Sequence, residues 1–292
     1  MKRELTDKDM PRDEEIKEQK PLDGEESGMD PEPIYDNPTH RGYGRMKGKV
    51  AIVTGGDSGI GRAVSVAYAK EGADVVIVFF DDEKDAEKTR QVLESYGSRC
   101  LLLNGDLGES SFSEKIVKKT LEEFNRIDII VNNAAEQHPK DSLEDITDQQ
   151  LERTFRTNIF SMFYLLRAAL PYLKEGAAII NTTSVTSYVG NPRLLDYSST
   201  KGAINSFTRS LALNLADRRI RVNQVSPGPV WTPLIPSTFS GEDVSGFGKD
   251  VPLSRPGQPV EMAEAYVYLA TDASTYMTGQ TLHLNGGEIV NG

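Results

Sequence analysis

The sequence predicts a doubly wound α/β domain in which a seven-stranded parallel sheet carries helices on both faces. Two observations lead to this fold class. Beyond residue 47, seven short runs rich in β-branched residues alternate with helical stretches, which is typical of βαβ units with right-handed crossovers. The length of 292 residues also suits one large α/β domain preceded by a tail.

The strands and helices follow from these runs in chain order. The predicted strands are Val50–Thr54, Val75–Phe79, Leu101–Leu103, Ile129–Val131, Ala178–Asn181, Arg221–Val225 and Thr281–Leu284. Helices are expected from Ser58 to Gly72, over Lys84–Tyr96 and Phe112–Phe124, in a long stretch before Pro171, and over Tyr197–Leu215 and Val260–Ala270. Gly72 is a suitable helix stop because glycine adopts the left-handed conformation without strain.

Residues 1–47 are expected to form a largely irregular, flexible or extended N-terminal arm, and residues 48–292 the folded domain. The arm is rich in Asp, Glu, Lys and Pro and has almost no apolar periodicity, so it buries too little surface to offset its ordering entropy. Two interpretations stay open at this point. The arm is either a disordered solubilising tail, or residues 21–38 lie along a neighbouring subunit.

Composition excludes several classes of protein. A net charge of −11 disfavours nucleic acid and anionic membranes as partners. The sequence contains no apolar run of about 18 residues, and no apolar segment follows its basic start, so neither a membrane span nor a signal peptide is expected. Cys100 is the single cysteine, which excludes an internal disulfide and favours the cytoplasm. The histidines His40, His138 and His283 lack metal-ligand spacing, so no metal site is expected.

A glycine-rich turn follows the first strand directly. The segment 54–61 reads TGGDSGIG and leads into a helix, so its backbone N–H groups can approach a pyrophosphate at the helix N-terminus. The spacing is Thr-Gly-x-x-x-Gly-x-Gly. The candidate cofactor-binding residues of this turn are Gly55, Asp57, Ser58, Gly59, Ile60 and Gly61.

Tyr197 and Lys201 stand four residues apart and therefore share one face of a helix. A phenol titrates near pH ~10, and a neighbouring ammonium lowers its pKa towards that of a general acid or base. Tyr43 and Lys47 have the same spacing but lie among glycines before the first strand, so we discard them. Ser184, thirteen residues before Tyr197, follows a strand, and Asn158 lies in the preceding helix.

In order and spacing, these motifs resemble the short-chain dehydrogenase/reductase family over residues 47–292. The shared motifs are TGGDSGIG, Asp106 after the third strand, NNAA at Asn132–Ala135, Asn158, Ser184, YSSTK at Tyr197–Lys201 and SPGPVWT at Ser226–Thr232. The resemblance implies a Rossmann-type fold and an oxidoreductase that transfers a hydride between NAD(P) and a secondary alcohol or ketone. The branch it most resembles contains glucose and ribitol dehydrogenase-like enzymes with similar arms, which suggests a sugar or polyol substrate.

The resemblance also implies the roles of the site residues. Tyr197 exchanges a proton with the substrate oxygen, Ser184 donates a hydrogen bond to that oxygen, Lys201 lowers the pKa of Tyr197 and holds the nicotinamide ribose, and Asn158 positions a water molecule. The remaining cofactor contacts are expected from Asp81, Asp106, Leu107, Asn132, Ala134, Thr182, Pro227, Gly228, Val230 and Thr232. A homotetramer is implied, formed through residues 158–170, 197–215 and the last strand.

The cofactor predicted is NAD. A preference for NADP needs a basic residue just after the second strand or before the second glycine of the turn, and Phe80-Asp81-Asp82 and Ser58 stand there. Asp81 is the better candidate for the ribose hydroxyls, and Arg62 or Lys84 would be the basic groups if NADP were preferred instead.

The long segment from Gly228 to Gln258 is expected to cover the substrate, because it begins at the nicotinamide end; the alternative is an ordinary surface excursion. His138, in a loop after the fourth strand, is another possible substrate contact. Two other functions stay open. A non-catalytic NAD(P)-binding sensor would not need Ser184, Tyr197 and Lys201, and an isomerase or dehydratase would carry an appended domain after Leu284, where only a few residues remain.

Overall fold

The computed structural model describes residues 5–16, 25–239 and 241–290, without the side chain of Glu242. Seven strands form one parallel sheet: β1 Val50–Thr54, β2 Asp74–Phe79, β3 Cys100–Asn104, β4 Ile129–Asn132, β5 Ala178–Thr182, β6 Arg221–Pro227 and β7 Thr281–Leu284. Their order is β3-β2-β1-β4-β5-β6-β7, so the chain reverses direction across the sheet between β1 and β4. The predicted doubly wound fold and its seven strands are confirmed, with strand ends that differ by at most two residues.

The described helices cover both faces of the sheet. They are α1 Gly59–Lys70, α2 Glu83–Ser95, α3 Ser110–Phe124, α4 Asp148–Phe155, α5 Ser161–Ala169, α6 Thr186–Val189, α7 Leu195–Leu215, α8 Leu234–Thr238 and α9 Pro259–Ala270. The long helix expected before Pro171 is present as α4 and α5, which a π-helical turn at Arg156–Phe160 joins without a break in the helical backbone. Of the helices in the described part of the chain, none is long and apolar enough to cross a bilayer.

Two apolar cores lie on opposite faces of the sheet. Alternate residues of a strand point to opposite faces. Ala51 and Val53 therefore pack with α1, α2 and α9, whereas Ile52 packs with α3, α5 and α7. This arrangement leaves the carboxyl ends of the strands as one open edge, where the loops that follow β1, β4, β5 and β6 meet.

The arm, residues 1–47, lies on the domain of its own chain in the parts that the structure describes. Ile16, Met29 and Met46 are each at most 5% exposed, and their neighbours belong to the domain. Residues 21–24 of the stretch 21–38 fall outside the described residues. The division of the chain at residue 47 stays a prediction.

Candidate active site

A cleft of about 550 Å³ opens at the carboxyl ends of the strands. It lies beside β1 and β4, where the strand order reverses, and ligands of open α/β sheets bind at that point. Its walls come from the loops after β1 to β6. The groups in these walls determine what the cleft can bind.

The glycine turn forms one wall of the cleft. Gly55 has a φ of +61°, and a Cβ atom on Gly61 would lie 1.7 Å from the carbonyl oxygen of Gly55. Ser58 is the N-cap of α1, and Gly59 and Ile60 line the cleft. The turn therefore presents the N-terminus of α1 to the cleft, an arrangement that binds phosphate. Gly61 supports the turn and does not itself line the cleft.

A hydrogen-bond network joins the turn to the loop after β4. The hydroxyl of Thr54 accepts the backbone N–H groups of Asn133, at 2.9 Å, and Ala134, at 3.1 Å. The Asn133 amide donates to the carbonyl oxygens of Thr54 and Gly55, both at 3.2 Å. Asn132, the residue that we selected from the sequence, donates instead to Asn181 inside the sheet at 2.8 Å and does not line the cleft. Neighbouring side chains along a strand point to opposite faces, so the sequence could have indicated that Asn132 and Asn133 do not both face the cleft.

Ser184, Tyr197 and Lys201 come together in the middle of the cleft. Ser184 follows β5, and the other two project from α7 one turn apart. The Lys201 ammonium donates to the carbonyl oxygen of Thr182 at 2.9 Å and lies 5.4 Å from the centre of the Tyr197 ring. All three side chains are more than 90% buried. A hydroxyl, a phenol and an amine thus face one small volume in which a substrate oxygen could receive or lose a proton.

Burial controls the protonation of this group. It raises the pKa of Tyr197 to about 12, although a hydrogen bond with the Ser184 hydroxyl acts in the opposite direction. It also lowers the pKa of Lys201 to about 7. The expected lowering of the phenol's pKa by Lys201 is therefore not seen in this arrangement, because burial disfavours both the phenolate and the ammonium.

Asn158 lies behind the cleft and does not line it. It sits in the π-helical turn, is completely buried, and bonds the backbone of Glu136 twice, accepting its N–H and donating to its carbonyl oxygen, each at 2.9 Å. The amide also donates to Thr200 at 3.1 Å. Asn158 therefore anchors the loop after β4 to α7. The water molecule that we expected it to hold stays a prediction.

The end of the cleft next to β2 and β3 is lined by Asp57, Phe80, Asp106 and Leu107. Burial raises the pKa of Asp57 to about 7. Asp81 is exposed and does not line the cleft, so the sequence selected a carboxylate that points elsewhere.

Two further residues near this end have other roles. Asp82 caps α2, accepting the N–H of Asp85 at 3.0 Å. Arg153, which the sequence did not indicate, lines the cleft and pairs with Asp106 and with Glu136, the latter at 3.1 Å. These residues are far apart in sequence, and no local motif signals Arg153.

The opposite end of the cleft is mainly apolar. Residues of the segment Gly228–Gln258 line it, and its role as a substrate cover stays a prediction. Its lining residues from this segment and from the loop before α7 are Leu194, Pro229, Val230, Thr232, Pro233, Leu234, Ile235, Phe239 and Phe247. Thr182, Ala134, Pro227 and Gly228 line the cleft between the two ends.

Two polar side chains that we did not select from the sequence face the apolar end. Gln137 lines the cleft and is 6% exposed, and its Nε2 atom has no hydrogen-bond partner among the described residues. Asn191 lines it as well. His138 does not line this cleft; its Nε2 atom lies 3.4 Å from a carboxylate oxygen of Glu136. A ligand with a hydrogen-bond acceptor would satisfy Gln137.

The chain is similar to known oxidoreductases over most of its length. A family model described as enoyl-(acyl carrier protein) reductase matches residues 55–288. The chain is 50% identical over 275 residues to a glucose and ribitol dehydrogenase of Daucus carota, which covers 92% of this chain and 94% of that protein. It is 49% identical over 275 residues to NADPH-dependent aldehyde reductase 1, chloroplastic, of Arabidopsis thaliana, which covers 92% of this chain and 96% of that protein. A crystal structure of a short chain dehydrogenase from Burkholderia cenocepacia J2315 in complex with NADP matches with a TM-score of 0.79 at 29% identity, covering 83% of this chain and 98% of that one.

Proposed function

This chain belongs to the short-chain dehydrogenase/reductase family of NAD(P)-dependent oxidoreductases, and we propose that it transfers a hydride between the cofactor and a secondary alcohol or ketone. The observation that carries the proposal is the convergence of Ser184, Tyr197 and Lys201 in a cleft that also contains the glycine turn. A non-catalytic binding protein would not require these three groups beside the nicotinamide end.

The role of each residue in the proposed reaction follows from its position in or behind the cleft. The N-terminus of α1 holds the pyrophosphate, while Asp106 and Leu107 lie at the adenosine end. The bound nicotinamide supplies or accepts the hydride. Ser184 donates a hydrogen bond to the reacting oxygen and stabilises its developing charge, and Tyr197 exchanges the proton. Lys201 carries that proton towards solvent, and Asn158 positions a water molecule that links Lys201 to solvent.

We propose a sugar or polyol as the substrate. Gln137 and Asn191 offer amide groups to substrate hydroxyls, while Leu194, Ile235 and Phe239 exclude water around the reacting carbon. The named activities of the carrot and Arabidopsis relatives support a hydroxylated or aldehyde substrate. Screening sugars, polyols and small carbonyl compounds by the absorbance of reduced nicotinamide tests the proposal. Turnover of no compound in any of these classes, with either cofactor, would contradict it.

We also propose that NAD is preferred over NADP. Neither Ser58 nor Phe80 carries a positive charge that could form an ion pair with a 2′-phosphate. The nearby cations of the described structure have carboxylate partners. Arg62 pairs with Glu26 and Asp85 and Lys84 pairs with Glu25, all at 2.6 Å. Arg153, which lines the cleft, pairs with Asp106 and Glu136. Asp57 presents a carboxylate inside the cleft, which repels a phosphate and accepts a hydrogen bond from a ribose hydroxyl.

The expected result is a kcat/KM at least about tenfold higher for NAD than for NADP, equivalent to about 1.4 kcal/mol. Asp57→Asn should lower the ratio of kcat/KM for NAD to kcat/KM for NADP at a pH above about 7, where Asp57 is ionised. Asp81→Asn is the matched control and should leave the ratio unchanged, because an exposed charge is screened. A wild-type ratio that favours NADP would contradict the proposal.

Alcohol oxidation and carbonyl reduction should depend on pH in opposite directions. With a pKa of about 7, Lys201 is neutral above that pH and protonated below it. Oxidation needs a group that accepts the proton, so its kcat/KM should rise through about pH 7, whereas that of reduction should fall. Profiles of kcat/KM in both directions check this expectation. Two flat profiles between about pH 6 and 9 would count against Lys201 as the proton carrier.

We propose a homotetramer in the cytoplasm. Phe160, Phe163 and Leu213 are at least 42% exposed and lie in or next to α5 and α7, the helices expected at the subunit interfaces. The single thiol, Cys100, gives no disulfide and suits a reducing compartment. Light scattering that finds a stable monomer at micromolar concentration would exclude the tetramer, and cell fractionation tests the location.

A further inference from the structure

A buried charge cluster joins the arm to the domain outside the catalytic groups. The Arg62 guanidinium donates to Glu26 and to Asp85, both at 2.6 Å. Asp85 also accepts the backbone N–H of Glu26 at 2.8 Å. None of the three side chains is more than 4% exposed. Burying charged groups is costly unless each is paired, so this cluster fixes the position of Glu26 on the domain.

The cluster contains one more carboxylate than the charge of Arg62 requires. Asp85 alone would neutralise the guanidinium, which leaves the second carboxylate, Glu26, unexplained by charge pairing. Its other oxygen accepts the backbone N–H of Gly59 at 2.7 Å. Gly59 is the first residue of α1, where N–H groups lack acceptors inside the helix and the dipole favours an anion. Glu26 therefore binds the glycine turn itself.

Arg62 holds the same turn from its other side. Its Nε atom donates to the carbonyl oxygen of Asp57 at 2.8 Å, and the hydroxyl of Thr89 donates to that oxygen at the same distance. Asp57 and Gly59 both line the cleft. Glu26, Arg62 and Thr89 thus fix the backbone on either side of Ser58.

The arm also packs against the back of the substrate cover. Ile16 and Met29 form a small buried core with Trp231, Ile235 and Val244. The indole N–H of Trp231 donates to the carbonyl oxygen of Pro31 at 2.7 Å. The backbone of Ile34 bonds α9 as well, accepting the N–H of Val260 at 2.9 Å. Ile235 lines the cleft, so the arm supports a wall of the substrate end.

We infer that residues 25–34, which we call the strap, are part of the active-site scaffold: Glu26 is a positioning residue for the cofactor turn, and Met29 with Pro31 positions the substrate cover. The inference rests on the proposed cofactor and substrate ends of the cleft. A preorganised turn and cover bind their ligands without an ordering cost. Loss of Glu26 should therefore weaken cofactor binding, and loss of the Met29 packing should weaken substrate binding.

The first test compares cofactor binding by Glu26→Ala and Glu26→Gln with that of the wild-type full-length chain. Glu32→Gln is the matched control, because Glu32 is an exposed strap carboxylate whose ion pair in the described structure is with Lys88, at 2.8 Å. We expect the Kd of NAD to rise about 10- to 100-fold in Glu26→Ala, the usual range for losing a hydrogen bond to a charged group. The rise in Kd should be smaller in Glu26→Gln and absent in the Glu32→Gln control. The kcat of Glu26→Ala at saturating NAD should fall less than about threefold, since no reacting group is altered.

Trp231 reports whether the strap stays docked. It is the single tryptophan of the chain and is completely buried beneath the strap. Met29→Ala should increase acrylamide quenching of its fluorescence and raise the substrate KM several-fold, while the Kd of NAD stays within about twofold of wild type. This variant keeps the inference testable if Glu26→Ala does not fold.

The possible outcomes distinguish failure of the inference about the strap from failure of the proposed function. A folded Glu26→Ala protein with wild-type Kd for NAD would overturn the role of Glu26. Unchanged quenching and substrate KM in Met29→Ala would overturn the role of the cover contact. A lower melting temperature with no change in Kd or KM would mean that the strap only stabilises the fold, and this also contradicts the inference. A wild-type protein that binds neither NAD nor NADP would instead overturn the proposed function.

Discussion

Tyr197→Phe is expected to lower kcat by a factor of about 10²–10⁴ and to leave the Kd of the cofactor close to its wild-type value. The substitution removes only the phenolic hydroxyl, and general acid–base help of this kind contributes about that factor. Tyr197 is 8% exposed and its ring packs beside Lys201, contacts that phenylalanine preserves. The measurements are steady-state kinetics with the best substrate of the screen and fluorescence titration with NADH.

The matched control for this variant is Tyr172→Phe, which removes a hydroxyl from a half-exposed ring outside the cleft. It should retain wild-type kcat and Kd. A Tyr197→Phe protein with near-normal kcat would remove Tyr197 from the reaction. The same loss of kcat accompanied by an equal loss of cofactor affinity would point to a structural role instead.

Gly61→Ala is expected to lower kcat/KM for the cofactor by at least about 100-fold. A Cβ atom at this position would lie 1.7 Å from the carbonyl oxygen of Gly55 and 2.6 Å from its carbonyl carbon. Both contacts are to backbone, so α1 and the turn must move apart. A displacement of about 1 Å in a binding element costs about two orders of magnitude in rate. The melting temperature should fall too, because the amide of Asn133 bonds the same carbonyl oxygen.

Gly202→Ala is the control for a glycine-to-alanine change. Gly202 lies in α7, and in the described structure a Cβ atom there would have no neighbour within 4 Å beyond the adjoining residues of its own helix. Alanine is the better helix former by about 1 kcal/mol, so this variant should be as stable as wild type or more stable. If Gly61→Ala kept wild-type cofactor kinetics, the turn would not be the phosphate-binding element.

The sheet and the catalytic groups could be predicted because their signals are local. A buried strand such as Val50–Thr54 is a continuous apolar run, and Tyr197 and Lys201 meet through helical spacing alone. The π-helical turn could not be predicted in this way. It accompanies the bonds between Asn158 and Glu136, which lie 22 residues apart, and no local propensity encodes them.

The positions of several charged side chains also differ from those predicted from the sequence. Asp81 was selected for its position after β2, yet it is exposed, and Asp57 lines the cleft. The arm looked unstructured by composition because its acidic residues resemble a solvated tail. Glu26 is nevertheless buried, since Arg62, 36 residues away, and the N–H of Gly59 are its partners. Composition records the number of charges and not what pairs with them.

Transfer of isotope from a substrate labelled with deuterium at the carbinol carbon tests the central claim most directly. Direct hydride transfer beside Ser184, Tyr197 and Lys201 predicts that mass spectrometry finds the deuterium in the reduced nicotinamide and that turnover of the labelled alcohol is slowed. The label should be undetectable in solvent, and Tyr197→Phe should reduce the rate of transfer without redirecting the label. Deuterium found in water, or reduced cofactor formed without label, would contradict the account.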